Sequence, residues 1–209
     1  MYKLKKNVEI RNVEHEMSVW AIFNPHFDPL DGASLGDGVL LCRDPRLSSL
    51  GYRVLAPKKA DILAGVRAVG LNLMRSSVPM YTAHRYRLGV GEGIDEIPYG
   101  KYLTLEANGD YLNGVSEKKT GFLGHELMSS RSEAKRLMPV LFESEPSVGC
   151  ALNSPIEDMM GRSKTPLGYL MGIEGRVGLG LMRVANALTS GNVKLKNVFA
   201  KCIKPYWWP

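Results

Sequence analysis

Residues 106–126 read EANGDYLNGVSEKKTGFLGHE, and the fold class turns on how this stretch is read. Its composition predicts a strand end at Glu106, a short turn-rich approach, a glycine-bearing loop and then the start of a helix. Glycine has no Cβ to hold a ligand away, so such a loop lets backbone approach one closely. The helix start behind it presents free N–H groups that suit an anion. The segments on the two sides of this stretch differ in texture.

Upstream, alternating apolar positions predict strands over residues 3–13, 18–23, 39–42 and 52–56, separated by Pro, Gly and Asp turns. Lys3, Lys5, Lys6 and Arg11 would line the solvent face of the first. The spacing of Ile62, Leu63, Val66 and Val69 predicts a helix. A second helix is expected within residues 73–88, with Pro79 interrupting it or marking a late start, and Gly89 stopping it. Downstream of residue 135 the texture is short strands. Residues 137–142 are apolar in both phases, as in a strand covered on two faces. Leu167, Tyr169, Met171 and Ile173 alternate with glycine, and Val177, Leu179 and Leu181 continue past the Glu174-Gly175 turn. Val193 and Leu195 alternate in one phase and Val198, Ala200 and Cys202 in the other, which predicts a bulge near Asn197. Residues 143–166, rich in Ser, Pro and Gly, would form a long loop. The class expected is α+β, ending in a small antiparallel β-barrel.

The wording of the 106–126 stretch resembles one family. YgfZ-type iron–sulfur cluster assembly factors, folate-binding relatives of the glycine-cleavage aminomethyltransferase, carry a pattern close to N-G-V-S-F-x-K-G-C-Y-x-G-Q-E. In the same register this chain has Asn113, Gly114, Val115, Ser116, Glu117, Lys118, Lys119, Thr120, Gly121, Phe122, Leu123, Gly124, His125 and Glu126. Lys119, Gly124 and Glu126 match, and Phe122 keeps an aromatic. Gly121 stands where the cysteine is usual and His125 where glutamine is usual. His84 to Gly93 resembles the family's helix ending in G-V-P-E-G, with Gly91 for the proline. Arg43-Asp44-Pro45-Arg46 before Leu50-Gly51-Tyr52-Arg53 resembles its D-P-R hairpin, and Tyr206-Trp207-Trp208-Pro209 the W-W-P tail of the mitochondrial branch. The opening residues resemble an internal family strand, so an N-terminally truncated chain is expected, without a transit peptide of its own.

The resemblance implies a partial folate-binding, aminomethyltransferase-like domain over residues 1–134 and a β-barrel domain over 135–209. It implies a role in late maturation of mitochondrial [4Fe–4S] proteins in the matrix, with an A-type scaffold protein as partner. Tetrahydrofolate is the expected ligand, and a cluster is contacted transiently if at all. The motif loop would then comprise Asp110, Lys119, Gly121, Phe122, Gly124, His125 and Glu126, with no catalytic residue and no resident metal. Lys119 would balance an anionic folate tail. His125, whose imidazole could ligate iron in place of the thiol, is read first as a solvated or backbone-bonded side chain of the first helical turn, and Glu126 as a cap of that helix or a ligand-contacting carboxylate. A glycine at position 121 removes the thiolate that would bind iron or attack an electrophile. Two alternatives stand beside this reading. In one, an aminomethyltransferase-like enzyme uses Asp110 or Glu106 to handle the proton on the folate nitrogen. In the other, the chain is a truncated, divergent copy without independent activity.

Composition sets outer limits. A chain of 209 residues that is 44% hydrophobic buries one substantial core, or a core with a small satellite. No apolar run has the length of a membrane helix. The net charge of +6 is spread along the chain and surrounds no nucleic-acid module, so neither nucleic acid nor membrane is an expected partner. Cys42, Cys150 and Cys202 lack CxxC spacing, which excludes a disulfide framework and a self-contained zinc or cluster site. Cys42 and Cys202 are expected as small buried hydrophobes and Cys150 as an exposed thiol. The arginines of the Arg43–Arg46 turn and of the 84–87 helix are expected to face water. Trp207 and Trp208 are expected to close the barrel bottom.

Overall fold

The structure is a computed structural model, and it describes residues 8–23, 30–115, 135–146 and 151–209. The chain forms two compact units, one of Met1–Asp44 with Gly51–Arg75 and one of Pro45–Leu50 with Ser76–Pro209. The class is α+β with a closed barrel.

In the first unit, strands β1 (Met17–Ile22), β2 (Leu40–Arg43) and β3 (Tyr52–Pro57) form an antiparallel sheet in the order β1-β3-β2. Tyr52, Val54 and Ala56 alternate inward on β3 and meet Ile62 and Val66 of helix α1 (Ile62–Ala68). Asp61 caps α1 by accepting a hydrogen bond from the Ala64 N–H. Gly65 is required there, because a Cβ would overlap the Leu35 carbonyl. Of the strand expected over 3–13, residues 3–7 lie outside the described residues and residues 8–13 carry no strand; backbone bonds from the Glu16 and Met17 N–H groups to the Val13 carbonyl make a turn, and the first strand among the described residues begins at Met17. Arg11 instead donates to Glu16 at 2.6 Å.

One further expectation fails in this unit: Cys42 is exposed rather than buried, since it lies on the sheet face opposite α1. Arg43 is exposed, as expected, while Asp44 is buried and accepts from Arg53 Nε at 3.0 Å.

The second unit is built around the barrel. Strands β4 (Lys135–Phe142), β5 (Pro155–Asp158), β6 (Gly168–Glu174), β7 (Val177–Arg183), β8 (Asn192–Leu195) and β9 (Val198–Cys202) close in the order β4-β7-β6-β5-β8-β9. β5 lies inside the stretch read as a long loop; with four residues and a proline its pattern is too short to register. The phase change after Leu195 is a tight hairpin turn rather than a bulge: Leu195 pairs with Val198, and Lys196 has φ 54°. The bulge falls instead in β6, between Leu170 and Gly172.

Met138, Val140 and Phe142 of β4 point into the barrel with Ile156, Leu170, Met182, Val193 and Leu195. On β7 the pattern is inverted. Gly178 and Gly180 face inward, where a Cβ would crowd Phe142 or Val140 and Ile156, while Val177, Leu179 and Leu181 face outward. Those outward residues, with Leu137 and Met171, pack under Tyr86, Ile97, Tyr102 and Ala107. β4 is therefore covered on both faces, as its two-phase pattern predicts.

Tyr86 lies on helix α2 (Val78–Leu88). Ser77 caps the helix and Pro79 sits in its first turn, where its missing N–H costs nothing. Gly89, at φ 74°, ends it. A short helix α3 (Gly93–Glu96) follows. Because α2 and α3 lie on the barrel's outer layer, the compact unit that holds the barrel includes residues well before β4, Ser76 onward together with Pro45–Leu50. Trp208 is 7% exposed and joins the barrel core, so the tail closes the barrel as expected.

Gly172 tests this layering. A Cβ there would overlap the Tyr86 hydroxyl. Gly172→Ala is expected to lower stability by about 2 kcal/mol through overpacking. Gly161→Ala, with open space around it, is expected to cost only its backbone strain. Denaturant melts of the two variants check the order.

Candidate functional site

Residues 103–115 lead into the motif loop, and they form consecutive turns rather than the end of a strand. Glu106 uses its carboxylate on the Leu103 N–H at 2.9 Å, which closes the first of these turns. Asn108 is fully buried at φ 61°, a conformation asparagine tolerates better than most residues. Its amide nitrogen donates to the Gly89 and Leu137 carbonyls and ties the turns to the end of α2 and to β4. Asn113, at φ 60°, donates to the Pro45 carbonyl at 2.9 Å.

Asp110 lies between these anchors. Both of its carboxylate oxygens accept from Arg136 of β4, from Nη1 and Nη2, each at 2.8 Å. Arg136 Nη1 also donates to the Leu105 carbonyl at 3.0 Å. The guanidinium lies 4.1 Å from the Tyr111 ring centre and 5.9 Å from that of Trp208. The two rings are 6.1 Å apart, and Trp207 donates from Nε1 to the Leu88 carbonyl at 2.8 Å. One buried arginine thus joins the approach to the motif loop, the barrel wall and the C-terminal tail.

The electrostatics follow from that geometry. Burial alone would raise the Asp110 carboxyl, but the hydrogen bonds and charge of Arg136 outweigh it and hold the carboxyl below its ordinary value. A carboxylate so held is a poor proton acceptor near neutral pH. Asp110 works here as an anchor, with both oxygens engaged by Arg136. Of the residues assigned to the motif loop, Asp110 alone falls among the described ones; Lys119, Gly121, Phe122, Gly124, His125 and Glu126 lie outside them. Cys150 also lies outside them. Cys202 is buried, and burial pushes its thiol up to about 12, so it offers no thiolate.

A second charged network escaped the sequence reading. Arg85, expected on a solvated helix face, is 5% exposed. It donates to Glu96 at 2.8 and 2.9 Å, while Tyr86 Oη and the Glu92 N–H donate to the same carboxylate at 2.8 and 2.6 Å. Glu92 in turn pairs with Arg46 at 2.8 Å, so neither arginine is simply solvated. Burial first, and then the Glu96 carboxylate, push the Tyr86 phenol up from its ordinary value. The only sequence signal for this network was Glu96 itself, four residues beyond Glu92 on a stretch too short to show periodicity. Among the described residues no group of three or more His, Cys, Asp or Glu is placed to hold a metal, and no helix is long and apolar enough to cross a membrane.

Residues 135–209, which hold the closed barrel and the tryptophan tail, match the family described as CAF17, C-terminal beta-barrel domain. Across its whole length the chain is similar to proteins named "Iron-sulfur cluster assembly factor IBA57, mitochondrial". It is 28% identical to the Homo sapiens protein over 221 aligned positions, which cover 100% of this chain and 59% of that protein. The figures for the Mus musculus protein are the same. A homolog from Mycosarcoma maydis is 36% identical over 106 positions, 47% of this chain and 24% of its own length. The chain spans about three-fifths of the length of the two mammalian relatives. The family resemblance read from the motif and the tail therefore extends along the entire chain.

Breaking the Asp110–Arg136 pair is expected to be costly. Asp110→Asn strands a buried guanidinium and should lower stability by about 3 kcal/mol. Because the Asp110 carboxyl is depressed in the folded state, its contribution is complete above the unfolded-state value of about 4 and is lost as pH falls below it. The melting-temperature gap between wild type and Asp110→Asn should therefore be wide at pH 7 and narrow on acidification below about pH 4. Thermal melts across that range check both the size and the sign.

Proposed function

We propose that this chain acts in iron–sulfur cluster assembly, in the late maturation of mitochondrial [4Fe–4S] proteins, by docking partner proteins in the matrix rather than by turnover. The observation that carries the proposal is its similarity, over 100% of its length, to named assembly factors. The docking mechanism draws support from the Asp110 carboxylate. It is the one residue assigned to the motif loop that falls among the described ones, and it is committed to Arg136 instead of being free to move a proton.

The finer proposals attach to this one. The partner is an A-type scaffold protein, one of the components of the same assembly route. A folate-type ligand would be held by the motif loop, with Lys119 against its anionic tail. Asp110 would serve by fixing the approach to that loop, not by bonding the pterin. Gly121 leaves the loop without a thiol, so contact with a cluster would pass through the partner's ligands.

Expression of the chain behind a mitochondrial targeting sequence, in cells depleted of their own assembly factor, tests the main proposal. Recovery of mitochondrial [4Fe–4S] enzyme activity is expected. No recovery from a stably expressed, correctly localised chain would overturn it. Isothermal titration with tetrahydrofolate decides the ligand separately: heat of binding that Lys119→Gln diminishes is expected, and a flat titration removes folate from the proposal while leaving the assembly role in place.

A further inference from the structure

The loop between β5 and β6 carries MMGRSKTP over residues 159–166, and β7 is followed by helix α4 (Val184–Ser190). Between them lies an open cavity of about 260 Å³, lined by Asp158, Arg162, Asn186 and Thr189 among others, with Leu167 and Ala185 also in its wall. Drug-sized ligands occupy roughly 300–1,000 Å³, so this space suits a single side chain better than a cofactor.

The chemistry of its wall is asymmetric. Asp158 is 2% exposed and its carboxylate is fully used. It accepts from the Arg162 N–H at 2.7 Å and from Arg162 Nε and Nη2, both at 3.1 Å, and it also receives the Ser190 hydroxyl. Arg162 Nη2 gives a further bond to Ser190 Oγ at 3.1 Å. One edge of the guanidinium is thereby fixed and neutralised. Nη1 makes no hydrogen bond among the described residues, and neither does the Asn186 amide. A guanidinium held on one edge with donors left over is pre-organised for a second carboxylate.

The surroundings add charge and apolar area. Lys164 on the same loop and Arg183 at the end of β7 bring two more cations, and Arg183 is placed by a 2.9 Å bond to Thr165 Oγ1. The carboxylate of Asp158 is turned inward against Arg162. Met159 and Met160 on the loop and Leu188 on α4 are exposed, Met160 by 73%. Exposed methionines are adaptable contact residues, and beside Lys164, Arg183 and the unused Nη1 of Arg162 they favour a partner that is both acidic and apolar.

We propose that the 159–166 loop and α4 form a docking surface for an acidic segment of a protein partner, with one aspartate or glutamate side chain seated in the cavity against Arg162 and Asn186. The proposal rests on the reading of this chain as a factor that works by docking proteins. Met160 and Leu188 receive apolar side chains of the same segment, and Lys164 and Arg183 steer its approach.

Fluorescence anisotropy with a labelled octapeptide of alternating glutamate and leucine tests it on the full chain, with the glutamine–leucine peptide as control. Binding of the glutamate peptide that weakens as salt rises is expected. Asn186→Asp places a negative charge in the cavity without touching the Asp158–Arg162 pair, and should weaken binding about tenfold while the melting temperature holds. Arg162→Lys keeps a charge against Asp158 but loses the planar fork, and should weaken binding as well. Equal binding of the glutamine peptide, or unchanged binding to Asn186→Asp, would overturn the proposal. Displacement of the peptide by an equal concentration of glutarate would also overturn it, by reducing the site to one for small anions. Cellular rescue separates the two readings. If wild type and Asn186→Asp restore [4Fe–4S] enzyme activity equally, the docking surface is wrong and the assembly role stands. If wild type fails to rescue but still binds the peptide in a manner dependent on Asn186, the surface stands and the assembly role falls.

Discussion

Burying the guanidinium of Arg136 is the constraint around which the second unit is arranged. A charge removed from water costs several kcal/mol unless its donors are used and its charge is answered. Arg136 meets both demands at once: Asp110 answers the charge through two 2.8 Å bonds, the Leu105 carbonyl takes a further donor, and the Tyr111 and Trp208 rings lie beside its plane. Each of these partners comes from a different part of the chain. The turns of 103–115, the barrel strand β4 and the C-terminal tail are consequently held in one geometry. The stem from which the motif loop departs is set by this contact, supplemented by Asn108 inside and Asn113 outside.

The same economy recurs across the unit. Glu96 is consumed by Arg85, Tyr86 and a backbone N–H, and Asp158 by Arg162 and Ser190. In all three cases a carboxylate is spent on structure; Arg136 and Arg85 are buried with their partners, and only the Arg162 side chain stays exposed. Acid–base turnover needs the opposite, a carboxylate left free near the pH at which it works. Arg162 and the exposed Met159 and Met160 share one loop of the closed barrel. The barrel supplies the rigidity. Its narrow interior, with glycines facing inward on β7 and long side chains from β4 filling the space, leaves the large outward residues to bind the α2 layer.

Local signals in the sequence were read correctly because their causes are local. Alternation locates β1, β3, β6 and β7; Pro79 and Gly89 bound α2; the two apolar phases of β4 announce a strand covered on both faces; and the motif with the W-W-P tail carries the family resemblance. The misreadings share a different cause. β5 was lost because four residues show no period. The turn at Lys196 and Asn197 passed for a bulge, because a hairpin also reverses phase. Cys42 was taken as buried because an apolar run says nothing about which face of a sheet is covered. The sequence could count the charged residues but not say which would be hidden. Asp110 and Arg136 are 26 positions apart, and Arg85 meets Glu96 across a helix end. Strand pattern, helix limits and kinship were thus determined by the sequence alone, since each depends on neighbours along the chain. Which carboxylates became anchors, and which cations stayed exposed, was decided only by the tertiary structure, since desolvation and pairing depend on groups the fold brings together from far apart.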